Sequence, residues 1–206
     1  MTAGSRRFRT AIIVLAILQT LVLGWIIVSR IALLRSSDVV TLSTQPVDPH
    51  DLFRGDYVTL SYGISRLPLD GLKGDKDFGE GQPIYVEIAP AGATWKAVAV
   101  SHDYPAPAAG DKVIRGRIRH IARNVPRVRA LPGSRTMEEV PCDDCVMASV
   151  EYGIESYFVA EGTGRGYETA RNERRLAVDV ALSGDGEAAI KALRLDGEVL
   201  YEEPLL

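Results

Sequence analysis

The sequence is poor in metal-binding side chains, with two cysteines and three histidines in 206 residues. A zinc site at Cys142 and Cys145 needs two further ligands, and His50, His102 and His120 show no paired spacing. No metal or other cofactor is therefore assigned. An excess of charge of one sign is lacking too. A formal net charge of −3 names no partner and argues against whole-surface nucleic-acid binding, which wants an excess of positive charge. Compositional bias is absent as well: with 46% hydrophobic and 25% charged residues the chain can bury a core and is not broadly disordered. Its length suits one domain of about 100–150 residues plus an attached segment.

Charge is missing altogether from Ala11 to Val28, AIIVLAILQTLVLGWIIV. At about 1.5 Å per residue this run covers roughly 27 Å, enough to cross a hydrocarbon core. A buried core helix is disfavoured, because only Gln19 and Thr20 interrupt the run and no polar face exists. A cleaved signal peptide wants an apolar region of about 7–15 residues and a small-x-small site. The run here is longer, and SRIALLRSSD follows it with arginines. An uncleaved signal anchor is the preferred reading. Arg6, Arg7 and Arg9 precede the span, while Arg30 and Arg35 lie at its far end before Asp38, so the N-terminus is expected on the cytoplasmic side. Residues 1–35 are thus a basic tip and anchor, and residues 36–206 an extracytoplasmic domain.

That domain is expected to be mainly β, an antiparallel sandwich or barrel-like body. Turn signals at Asp70-Gly71, Gly74-Asp75, Gly110-Asp111, Gly184-Asp185-Gly186 and Asp196-Gly197 separate strand candidates. A strand-like Val39 to Thr44 leads in. Then come Tyr57 to Ile64, Ile84 to Ala89, Trp95 to His102, Lys112 to Ile121, Met147 to Ile154, Arg175 to Leu182, Ala188 to Leu195 and Val199 to Tyr201. A short helix is expected over Tyr167 to Glu173, and Asn124 to Cys145, rich in proline, is expected to be an exposed loop. VTLSYGIS (58–65) and ASVEYGIE (148–155) share Tyr-Gly-Ile at a strand end, an identity too short to establish a duplication.

The stretch DLFRGDYVTLSY, 51–62, concentrates the chemistry. Asp51 to Arg54 suits a tight turn released by Gly55, and the strand after it puts Tyr57, Thr59 and Ser61 on one face and Val58, Leu60 and Tyr62 on the other. Asp56, where turn meets strand, suits capping of backbone N–H groups or pairing with Arg54. A structural corner accounts for nearly every residue here.

Gly55 to Tyr62 resembles, letter for letter, the pattern for which the GDYXXLXY family of bacterial membrane-anchored proteins is named. The lead-in Val47 to Arg54, Gly116-Arg117, Tyr152 to Val159 with Glu161-Gly162, and the closing hairpin with Asp196-Gly197 are similar to it as well. The resemblance covers roughly residues 39–201. It implies an anchored, extracytoplasmic, mostly β protein and no established reaction. Because members are often encoded beside a polytopic membrane protein, it also implies that protein as partner.

An Arg-Gly-Asp turn into a strand also resembles signal peptidases, giving the alternative of a membrane-tethered hydrolase at the same region. That chemistry needs a serine beside a lysine base, and no Ser-Met stretch follows the anchor. Asp48, Asp51, Asp56, Glu155 and Glu161 form a metal-binding or acid–base set only if they converge; as turn carboxylates they are more simply solvated or capping groups. Cys142 and Cys145 are expected as a local disulfide, with redox exchange as the alternative. Arg115, Arg117 and Arg119 share a strand face within a group of seven arginines ending at Arg135, an anion-facing stripe or one solvated face.

The reading is a single-pass protein of the bacterial cytoplasmic (inner) membrane whose outer domain is a non-catalytic interaction module. It contacts the lipid bilayer and a polytopic membrane protein, and no nucleic acid. The candidate interaction surface comprises Arg54, Asp56, Tyr57, Tyr62, Tyr152, Glu155 and Tyr157, and no catalytic residue is assigned.

Overall fold

The computed structural model describes residues 3–47, 57–130, 137–140, 142, 144–159 and 162–203. It is mainly β, with an apolar N-terminal helix and antiparallel sheets. Helix α1 (Ala3–Leu34) leads into β1 (Val39–Ser43), β2 (Tyr57–Thr59) and β3 (Arg66–Pro68). After β4 (Lys73–Gly74) come β5 (Pro83–Ala91), β6 (Thr94–Ser101), β7 (Lys112–Arg123), β8 (Arg127–Ala130) and β9 (Met137–Val140). Then follow β10 (Val146–Glu151), β11 (Ser156–Phe158), α2 (Gly164–Asn172), β12 (Leu176–Leu182), β13 (Ala188–Leu195) and β14 (Glu198–Glu202).

Within α1, Phe8–Leu34 is 27 residues long and apolar enough to cross a membrane, and its most apolar 18-residue stretch has a mean hydropathy of 2.7 with none of that stretch buried. Its hydroxyls bond back to their own turn, Thr20 to the Ala16 carbonyl and Ser29 to the Ile26 carbonyl, as an apolar surrounding requires. The helix meets the body at one point. Leu33 is buried there, the Ser36 hydroxyl donates to the Leu182 carbonyl, and Lys112 pairs with Asp38.

Two layers face each other across one core, and they follow the same plan. One is β6-β5-β7-β10-β3; the other is β13-β12-β1, continued by an isolated Thr44↔Tyr62 bridge to β2 and thence β11. Strands β4 and β14 lie outside β6 and β13. The correspondence holds residue by residue. In β2–β11, Tyr57, Val58 and Thr59 oppose Phe158, Tyr157 and Ser156. In β10–β3, Met147, Ala148 and Ser149, 90 positions after Tyr57, Val58 and Thr59, oppose Pro68, Leu67 and Arg66, which lie 90 positions before Phe158, Tyr157 and Ser156. The β5–β6 and β12–β13 hairpins are bulged at matching points, between Glu87 and Ile88 and between Asp179 and Val180. Each half also lends its first strand to the other half's hairpin, β1 to β12 and β7 to β5. The Tyr-Gly-Ile likeness thus marks two structurally equivalent halves, joined by exchanged strands about a pseudo-two-fold axis.

Three expectations, on one strand, one loop and one helix, are corrected. The strand expected over 57–64 ends at Thr59, because the chain turns at Tyr62 to Ser65, where the Ser65 N–H donates to the Tyr62 carbonyl. The loop expected over 124–145 contains the β8–β9 hairpin, with Arg127 opposite Val140 and Ala130 opposite Met137. Pro126 falls just outside the paired residues, where a missing N–H breaks no ladder, and Pro132 and Pro141 lie outside the described residues. The sheets also include one parallel pair, Lys73-Gly74 beside Ala99-Val100. The helix expected at 167–173 starts three residues earlier, at Gly164. Strands β3, β4 and β11 are too short for a period of two to be legible.

Candidate functional site

The alternation in the motif strand holds: Val58, Leu60, Tyr62 and Ile64 are buried, while Tyr57, Thr59 and Ser61 are half-buried. What it serves is the crossing between layers. Residues 62–65 carry the chain from β2 in one layer to β3 in the other, and residues 152–155 carry it back from β10 to β11. The two crossings clasp each other. The Tyr62 hydroxyl donates to the Ile154 carbonyl at 2.5 Å, and the Tyr152 hydroxyl donates to the Ile64 carbonyl at 2.7 Å. The Leu60 N–H donates to the Glu155 carbonyl at 2.7 Å, and the Val150 N–H, its counterpart, to the Ser65 carbonyl at 2.9 Å.

Each turn is capped by the side chain three residues after its tyrosine. Ser65 Oγ accepts from the Tyr62 N–H at 3.0 Å. The Glu155 carboxylate accepts from the Tyr152 N–H at 2.6 Å and from the Gly153 N–H at 2.9 Å, with Gly153 supplying the positive φ of 79°. Burial, and secondarily the Glu155 carboxylate, push both phenols well above the ordinary tyrosine range. They therefore stay protonated donors at any physiological pH, which is what a hydroxyl facing a carbonyl must be.

The profile of the GDYXXLXY protein family matches residues 19–193, most of the chain. The protein belongs to that family. No curated protein and no solved structure matches the chain. Two of the letters in the family's name are core positions here: Leu60 packs in the interlayer core, and Tyr62 is half of the clasp. Gly55 and Asp56 lie outside the described residues, as do Arg54, Asp48, Asp51 and Glu161.

Of the seven residues assigned to an interaction surface, three cannot meet a partner. Tyr62, Tyr152 and Tyr157 are 1%, 6% and 6% exposed, their rings in the core and the first two hydroxyls bonded inside it. Burial, followed by the nearby Glu203 carboxylate, raises the Tyr157 phenol as well. Glu155 is engaged as a turn cap. Tyr57 is half-buried, and across the β2–β11 ladder it meets Phe158, with ring centroids 6.0 Å apart. Phe158 is 78% exposed.

One residue escaped the sequence reading entirely. Arg171 on α2 is 1% exposed, and no ion pair to a carboxylate within bonding distance is recorded for it among the described residues. Its guanidinium donates to the Thr59 carbonyl at 2.5 Å, to the Val47 carbonyl at 3.2 Å and to Asn172 Oδ1 at 3.0 Å. It thereby ties together the two ends of segment 48–56, which carries the Gly-Asp of the motif. Burial lowers its pKa from the ordinary value. A carbonyl acceptor has no residue identity, so neither partner is readable in the sequence.

The other candidates resolve individually. Cys142 and Cys145 form a disulfide with Cα atoms 5.5 Å apart. The arginine stripe is internally satisfied: Arg115 pairs with Glu187 at 2.7 Å, Arg117 donates to the Gly81 carbonyl at 2.8 Å, and Arg119 pairs with Glu151 at 3.0 Å. His102 and His120 face Asp75 and Glu80. Among the described residues, no three His, Cys, Asp or Glu side chains gather as a metal site.

Proposed function

We propose that this protein is a non-catalytic interaction module held at the bacterial cytoplasmic membrane by α1, with its N-terminus inside and residues 36–206 outside, and that it docks a polytopic membrane protein. Support for the anchor is the exposed apolar length of Phe8–Leu34, which costs free energy in water and none in lipid. The flanking arginines, three before the span and two after, favour this orientation. The observation that carries the docking reading is Phe158, a large aromatic left 78% exposed on a two-stranded ribbon beside Tyr57. Aromatic anchors of this kind dominate binding energy at interfaces.

The partner to test is the polytopic protein encoded by the neighbouring gene, co-expressed and copurified in mild detergent. Phe158→Ser removes the ring from an exposed site, so folding survives, and recovery of the partner is expected to drop about tenfold or more. Recovery equal to wild type removes the docking surface. In spheroplasts, added protease is expected to digest the outer domain; protection of the bulk of the chain removes the topology.

A further inference from the structure

We propose that the cleft running along the motif strand binds a small soluble oxyanion, a carboxylate or phosphate ester, between Arg66 and Arg174. The cleft holds about 800 Å³ and is lined by Gln45, Thr59, Ser61, Gly63, Arg66 and Arg174, among others. Among the described residues, no carboxylate lines it. Both arginines are exposed, and neither has an ion pair or hydrogen bond from its side chain among the described residues.

Arg174 breaks a local rule. The end of α2 is a Schellman motif, in which the Arg175 N–H donates to the Ala170 carbonyl and the Arg174 N–H to the Arg171 carbonyl, both at 2.9 Å. The position this places in the left-handed region belongs to glycine, or sometimes asparagine. Here Arg174 holds it at φ 58°. The other non-glycine residues with positive φ among the described residues are Asn124 and Asp196, types that tolerate it. A long charged side chain kept at a strained position, with no side-chain partner among the described residues, is the pattern of a residue retained for what it reaches.

The second half of the domain is an internal control. Carried across the pseudo-two-fold, Arg66 corresponds to Ser156 in the β10–β3 and β2–β11 registers, and Arg174 to Gln82, two positions before Ile84 as Arg174 is before Leu176. There β7 runs on beside β10, and its Arg119 is neutralised by Glu151. In the motif half, β1 ends at Ser43, which leaves the cleft open with Arg66 and Arg174 in its lining. Guanidinium forks match planar oxyanions bidentately. The cleft also lies past the end of β1, about 20 Å along the strand from α1, and on the anchoring proposed above this favours a soluble ligand over the headgroups around α1.

The test titrates citrate and inorganic pyrophosphate into the full chain in dodecyl maltoside by calorimetry, at low and raised salt. Wild type is expected to bind at least one, with affinity falling as salt rises. Arg174→Gly keeps the fold, because glycine takes this backbone conformation without strain, and is expected to weaken binding about tenfold or more, as is Arg66→Gln. Arg174→Lys, which keeps the charge and loses the fork, is expected to fall between. The proposal is overturned if wild type binds neither anion, or if Arg174→Gly binds as tightly as wild type. Binding seen only after Asp48, Asp51 and Asp56 are changed together to Asn also overturns it, since the arginines would then be serving the chain's own carboxylates. No partner protein enters these measurements, so they are read apart from the docking test.

Discussion

Tyr62→Phe and Tyr152→Phe are each expected to lower the free energy of unfolding by about 1–3 kcal/mol, because each leaves a buried carbonyl, of Ile154 or Ile64, without its donor. The double variant is expected to lose less than the sum of the two. Both bonds close the same pair of crossings, so opening one loosens the other, and the coupling should reach about 0.5 kcal/mol or more in a double-mutant cycle. Strict additivity in thermal or urea unfolding would mean that the two turns act separately.

The same bonds set an alkaline limit. Both folded phenols ionise well above the unfolded value of about 10. The stability they confer is therefore complete below about pH 10 and is lost as pH rises beyond it, where the unfolded chain releases protons that the folded chain retains. The melting temperature of wild type is expected to fall from about pH 10 upward more steeply than that of the double Phe variant. Tyr157, also raised, keeps some slope in both.

Gly116→Ala is expected to cost about 2–3 kcal/mol, and Gly116→Val more. A Cβ at this position of β7 would collide with Val150 Cγ1 and lie 2.9 Å from the Glu151 carbonyl oxygen and 3.0 Å from the Tyr152 ring. All three contacts are backbone or core, with no flexible end to move aside. The equivalent position in the other half is Thr44, which keeps its side chain and donates to the Leu176 carbonyl at 2.6 Å. There the two strands touch at a single bridge, whereas β7 and β10 pair along six residues and are drawn close. A melting temperature for Gly116→Ala within about a degree of wild type would contradict this close approach.

Much of the architecture was legible locally. Alternation at Val39 to Thr44 and Val58 to Tyr62, and glycine turns at 110, 184–186 and 197, placed most strands within a residue or two. The short ribbons β3 and β11 were not legible, because three residues show no period. The candidate site was legible in location and not in role. Tyr62 and Tyr152 attracted notice as aromatic residues near a charged motif, and their alternation already placed Tyr62 on the inner face. Their use as mutual clasps was hidden, since the acceptors are main-chain carbonyls, which every residue possesses.

By itself the sequence determined an apolar helix of membrane-spanning length, a β body punctuated by glycine turns, and membership of a family through an eight-residue motif, all properties of period and composition over a few neighbouring residues. Only the tertiary structure decided that the two Tyr-Gly-Ile turns are partners, that Arg171 ties the ends of the motif segment, and that Arg66 and Arg174 share a cleft. The clasp bonds join residues 92 and 88 positions apart, and Arg171 reaches Thr59 across 112. Such contacts arise from the exchange of strands between halves, and no local pattern records which strand a distant one will meet.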